Sequence, residues 1–191
     1  MKLLFELLLA MAIALGSGLG SAWYLVGDGW LLRTDVFGEW ASWPLGGSPD
    51  ADPYSRAVLA RTGQVPLAQG EGAAFFASQD STGAPIKGGC DYIVAGKTPP
   101  ARLWTLTLMD EQGQLPGNLA GRIDFRSDRL LRSENGQFQI TFAPEARPGN
   151  WFPMPADGKY MLVLRLYDTP ASLMTDIRAG SLPSIMRKGC K

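Results

Sequence analysis

Hydrophobic and polar positions follow different patterns in the first and later parts of the chain. Residues 7–26 (LLLAMAIALGSGLGSAWYLV) carry no charge. About 20 apolar residues suffice to cross a bilayer, so this run predicts a transmembrane helix. Lys2 precedes it, Glu6 stands at its edge, and Trp23 and Tyr24 fall where an interfacial aromatic belt belongs. After Gly70 the chain breaks into short apolar or alternating runs at 73–79, 91–96, 102–110, 122–125, 138–144 and 160–168. Each is followed by Gly, Pro, Asn or Asp, the pattern of an antiparallel β-sandwich or barrel. Alternation is clearest from Leu103 to Asp110, where Trp104, Leu106 and Leu108 face one way and Leu103, Thr105, Thr107 and Met109 the other. Between the two regions, Asp52 is a good N-cap and Pro53 a good first helical residue, which predicts a helix over 52–63 stopped by Gly63. Residues 171–178 read as a short helix, followed by a turn and a second short segment to Cys190. The organisation expected is an anchor (1–26), a linker arm (27–50) that is extended or a short strand, and one β-sandwich domain (51–191).

The anchor has a rival. Lys2, an apolar stretch, and small residues at Gly20 and Ala22 also fit a cleaved signal peptide. Apolar character runs on through Trp23 to Val26, which favours an uncleaved signal anchor. Lys2 is the basic residue on the short N-terminal side and Asp28 the first charge beyond the span. Positive-inside logic then puts the domain outside the cytoplasm, with a bacterial inner membrane and periplasm as the natural setting. Gly16 and Gly20 form a small-xxx-small pair through which two such helices can pack as a dimer. The plainer reading is that glycine is common in membrane helices.

The cysteines fit the same setting. Cys90 and Cys190 are the two in the chain, each after a glycine. In an exported domain such a pair reads as a disulfide. It would close a loop of about 100 residues, which the chain-entropy account values at roughly 4–5 kcal/mol. The rival is two unrelated free thiols.

Composition narrows the chemistry. The 191 residues include no histidine, 18 Lys+Arg and 18 Asp+Glu. Lack of histidine removes Ser-His-Asp and Cys-His nucleophile pairs and His-ligated metals. A net charge of zero gives no electrostatic footprint for nucleic acid. Neither a cofactor nor a metal site is expected. Asp50 and Asp52 lack the remaining ligands of a calcium loop, and the glycines at 70–72 and 88–89 do not form a phosphate-binding motif. Acid–base work would fall to carboxylates: Asp91, Asp110, Asp124 and Asp168 lie in or beside predicted strands. Two of them within 5–10 Å would suit glycoside cleavage, whereas the plainer reading is turn chemistry.

The densest candidate set is aromatic and polar. GNWFPMP (149–155) places Asn150 and Trp151 in a loop framed by Pro and Gly, Arg165 and Tyr167 share one face of the following strand, and Trp104 lies on another strand. Rings beside Asn and Arg suit a sugar or another polar ligand. The alternative is a buried tryptophan plug with Asn150 bonded to turn backbone.

These residues carry a resemblance. Tyr92, Gly96, Pro100, Ala101, Trp104, Asp110 and Gly113, then Asn150, Trp151, Pro153, Arg165 and Tyr167, resemble the bacterial family named domain of unknown function 1214. The match runs over most of 92–170. The family often forms the C-terminal half of a longer protein behind a second domain of unknown function. Here a membrane span and a short arm stand in that place. The resemblance implies a mainly β, jelly-roll-like sandwich and no established reaction. Two functions are therefore carried forward. One is a membrane-anchored binding module facing the periplasm, for a glycan or an envelope protein. The other is a carboxylate-based hydrolase or lyase acting on envelope saccharides. A plainer third is an accessory subunit held through Gly16 and Gly20.

Overall fold

The computed structural model describes residues 2–28, 35–43, 46–62, 66–68, 70–97, 99–169 and 181–190. In chain order the elements are α1 (Lys2–Asp28), β1 (Asp35–Phe37), β2 (Trp40–Ser42), α2 (Pro53–Thr62), β3 (Gly72–Ala77), β4 (Cys90–Gly96), β5 (Leu103–Asp110), β6 (Asp124–Arg126), β7 (Phe138–Ala143), β8 (Asn150–Pro153), β9 (Tyr160–Tyr167) and β10 (Ser184–Cys190). They fall into two units, one of residues 1–33 and 45–66, the other of 34–44 and 67–191.

The first unit holds both helices found among the described residues. From Lys2 to Tyr24, α1 is long and apolar enough to cross a membrane, which supports a single-pass anchor. It begins earlier than the uncharged run because Leu3, Leu4 and Glu6 are themselves good helix formers. α2 starts as its cap dictates: Asp52 Oδ1 accepts from the N–H of Tyr54 at 2.9 Å and of Ser55 at 3.0 Å. Its expected stop, Gly63, lies outside the described residues. Near the C-terminal end of α1, the Arg61 guanidinium of α2 sits 5.2 Å from the centre of the Trp23 ring.

The second unit is a mainly β sandwich. One sheet has six strands in the order β1-β2-β3-β9-β5-β6, the other four in the order β10-β4-β7-β8. Their inner faces share one core. Phe75, Trp104, Leu106, Leu108, Leu162 and Leu164 come from the first sheet, and Tyr92, Val94, Ile140, Phe142, Phe152 and Ile185 from the second. The inward residues of β5 are those its alternation selects, with Trp104 and Leu108 fully buried. Trp40 Nε1 donates to Pro183 O at 2.6 Å, tying β2 to the approach of β10.

Three expectations change. The 27–50 arm contains a hairpin, β1–β2, turned at Gly38 with φ 67°. The GNWFPMP segment is not a loop: Asn150–Pro153 is a strand, and it runs parallel to β7, so the sandwich is not wholly antiparallel. Residues 144–149 need only run back along about three residues of β7, roughly 10 Å, which six residues can cover. Gly149, at φ 84°, admits the reversal. The tail is a strand as well, β10, paired with β4 from Ser184 to Cys190. The helix expected at 171–178 lies outside the described residues.

The disulfide is present. Cys90 and Cys190 are directly paired across β4 and β10 and joined, so the bond fixes the edge strand to the sheet. The glycines before Cys90 serve packing. Gly88 N–H donates to Gly158 O and Gly89 N–H to Pro155 O, both at 2.9 Å. A Cβ on Gly88 would stand 2.6 Å from the Asp157 backbone.

Candidate ligand-binding surface

Strand alternation decides which side chains can meet a ligand. In β7, Phe138, Ile140 and Phe142 turn inward, leaving Gln139 and Thr141 on the outer face. Cross-strand register then sets Met186 of β10, Ile93 of β4, Thr141 of β7 and Trp151 of β8 in one row across the four-stranded sheet. All four are partly or well exposed, Met186 at 37%. Trp151 is held by its own ring: Nε1 donates to Ala143 O at 3.0 Å. Its carbonyl accepts from Arg122, and that guanidinium lies 5.0 Å from the centre of the Phe125 ring. Asp91 shares the outer face with Ile93 and is paired with Arg147 at 2.7 Å. At the β7–β8 end an open depression of about 200 Å³ is lined by Ser133, Gln137, Gln139, Thr141, Gly149 and Asn150 among others. Thr141 lines this depression and stands opposite Trp151, so hydroxyl, amide and indole groups share one outer face, which suits a polar ligand with a flat apolar side.

The five candidate residues do not form one cluster. Trp104 points inward, is fully buried, and packs against Phe138 with ring centres 4.8 Å apart. Its Nε1 is buried without a hydrogen-bond partner among the described residues, and an enclosed indole cannot stack on an arriving ligand. Asn150 is nearly buried, and its amide is consumed by backbone: Leu131 N–H and C=O at 2.9 and 2.8 Å, and Gln139 O at 2.9 Å. Arg165 and Tyr167 do share a face, the outer one of the six-stranded sheet. Arg165 lies opposite Ala74 and Thr105, and Tyr167 opposite Gly72 and Leu103. Trp151 alone of the five lies on the outer face of the four-stranded sheet.

The aspartates are also dispersed. Asp91 is on the four-stranded sheet, Asp110 and Asp124 are on the six-stranded one, and Asp168 lies just past the end of β9. Asp110 ends the β5–β9 pairing on one side and Asp168 lies one residue past its other end, so they stand about eight residues or roughly 26 Å apart. Asp110 binds its own turn through Gln112 N–H and Gln114 N–H, and Asp168 pairs with Arg102 at 3.1 Å. Asp124 stands opposite Thr107, an outward position. The four are thus spread over two sheets, with Asp110 and Asp168 too far apart for a glycosidase pair. Among the described residues no group of three or more His, Cys, Asp or Glu is placed to hold a metal.

One buried charge went unread in the sequence. Asp80, whose side chain has no exposed surface, lies 2.8 Å from Arg187 Nη2 of β10, off the direction of a hydrogen bond. Its Oδ1 accepts from Thr82 N–H, Thr82 Oγ1 and Ala84 N–H. Burial pushes its pKa up, but the bonds from Thr82 and Ala84 and the charge of Arg187 outweigh that and hold it below the ordinary value. The signal, SQDSTGAP, is a turn sequence. Its partner 107 positions later has no local trace.

A family model described as "Protein of unknown function (DUF1214)" matches residues 71–171, more than half of the 191. The chain belongs to the DUF1214 family. The match takes in β3 through β9, hence most of both sheets and all of the Trp151 surface except Met186 of β10. Among solved structures, the VPA0106 protein from Vibrio parahaemolyticus is similar with a TM-score of 0.58 and 21% identity over 73% of this chain and 36% of that one. An uncharacterised protein from Burkholderia cenocepacia gives 0.41 and 18%, over 63% and 30%. The first likeness shows a shared fold. This chain thus spans about a third of the length of each. No curated protein matches.

Proposed function

We propose that this protein is a membrane-anchored binding module that presents the outer face of its four-stranded sheet to a glycan of the bacterial envelope, with the domain in the periplasm. The observation that carries the reading is Trp151, held on the outer face in one row with Thr141 and Ile93, Thr141 also lining a polar depression. Indole against a sugar face, with Gln139 and Thr141 at hand for hydroxyls, is the usual physical basis of carbohydrate binding. The anchor helix and the disulfide support an extracytoplasmic setting. The dispersed aspartates favour binding over a carboxylate-based hydrolase or lyase.

The test is titration of the full-length protein in detergent with envelope oligosaccharides, namely muropeptides and soluble outer-membrane glycans. Trp151→Ala and Gln139→Ala should each weaken binding at least several-fold while the domain stays folded, with native far-ultraviolet circular dichroism. Equal affinity for wild type and both variants would overturn the placement. Absence of binding to every glycan, with an envelope protein crosslinking at 141 or 151 instead, would replace the glycan by a protein partner.

A further inference from the structure

A second surface belongs to the helical unit and is independent of the glycan reading. At about 1.5 Å per residue, the 23 residues of Lys2–Tyr24 cover about 34 Å, slightly more than a hydrocarbon core of about 30 Å. Trp23 and Tyr24, 74% and 61% exposed, then stand at the membrane–water boundary, where such rings are favoured. The Arg61 guanidinium lies 5.2 Å from the centre of the Trp23 ring, so it is carried to the depth of the lipid headgroups. α2 reads PYSRAVLART, with two arginines and no acid. Tyr54, seven residues before Arg61, falls on the same side of the helix and is 46% exposed. The cap, Asp52, has both carboxylate oxygens occupied by Tyr54 and Ser55. Arg56 donates one N–H to Pro49 O and keeps its charge.

We propose that α2 is an interfacial helix whose Arg61, with Arg56 in support, holds the headgroups of anionic phospholipids at the point where α1 leaves the bilayer. A guanidinium presents a fork that matches a phosphate. An adjacent indole keeps the cation at the boundary through its ring face. The covalent link to α1 supplies the lipid surface at high effective concentration. The occupant is a lipid headgroup rather than a protein because the anchor itself brings that chemistry to the helix.

The experiment uses the full chain in nanodiscs of phosphatidylcholine, with and without phosphatidylglycerol, and follows deuterium exchange of residues 53–62. Each arginine at an anionic surface is worth about a five-fold change in binding, so exchange in α2 should slow by up to roughly 25-fold in the anionic bilayer. Arg61→Gln should remove about five-fold of that protection, Arg61→Lys should retain most of it, and Arg56→Gln with Arg61→Gln should abolish the lipid dependence. Exchange in β5 and β9 should not change with lipid. Raised salt should erase the difference in the wild-type protein, a measurement that needs no variant. Identical α2 exchange in both bilayers, or a lipid effect that survives the double substitution or high salt, would overturn the proposal.

Discussion

The side-chain amide of Asn150 grips both backbone groups of Leu131, accepting from its N–H at 2.9 Å and donating to its C=O at 2.8 Å. It thereby acts as one more strand partner for the segment that leads into β7. Nδ2 also bonds Gln139 O at 2.9 Å. Asn150→Asp keeps the acceptor and loses both donations, leaving two carbonyls without that partner. Each buried polar group left unpaired costs about 1–3 kcal/mol, and the new carboxylate would face two carbonyl oxygens, so urea unfolding should show a loss of about 2 kcal/mol or more. A change below about 0.5 kcal/mol would mean that water replaces the amide.

Trp104 and Trp151 separate packing from recognition. Removing the enclosed indole in Trp104→Ala should cost about 3–5 kcal/mol and leave little folded protein. Trp151→Ala loses one hydrogen bond and some packing, at about 1–2 kcal/mol, and should keep native far-ultraviolet circular dichroism. Comparable stability of the two variants would contradict their opposite orientations.

The disulfide should stabilise without being required. Its closed loop of about 100 residues predicts up to 4–5 kcal/mol, with smaller measured values common. Ile185 in the core, the Trp40–Pro183 hydrogen bond and the Arg187–Asp80 pair still hold β10 when the bond is absent. Cys90→Ser with Cys190→Ser should therefore fold with a lowered urea midpoint. Deuterium exchange should rise first in the last residues of β10. Simultaneous loss of protection in β5 would show that the bond holds the whole sandwich.

Asp80 makes stability depend on acid. Its pKa is lowered in the folded protein, so its contribution is complete above the unfolded value of about 3.9 and fades as the pH falls through the lower folded value. Unfolding free energies measured from pH 6 down to pH 2 should fall more steeply for wild type than for Asp80→Asn. That variant should also be the less stable at neutral pH, since Arg187 loses its counter-charge. Parallel acid limbs for the two proteins would contradict this assignment.

Much of the fold was legible because alternation is local. The inward set Trp104, Leu106 and Leu108 follows from period two, and so does the common face of Arg165 and Tyr167. The anchor follows from length and lack of charge. Non-local pairing was not legible. Asn150 and Trp151 read as loop because Gly149 and Pro153 bracket them, yet β7 recruits the segment as a parallel strand. The Trp151 surface combines residues from β4, β7, β8 and β10, and only register across those strands unites Met186, Ile93 and Thr141 with it. Five residues chosen for their chemistry therefore divided among the core, a backbone clamp and two outer faces.

Glycan binding at the Trp151 face can be read from a deuterium-exchange map of the full-length protein in nanodiscs, with and without saturating envelope glycans. Glycan bound at Trp151 should slow exchange only in β4, β7, β8 and the 131–139 connection, and Trp151→Ala should lose that protection. Protection confined to the Arg165–Tyr167 face of the six-stranded sheet, or none with any glycan, would contradict it.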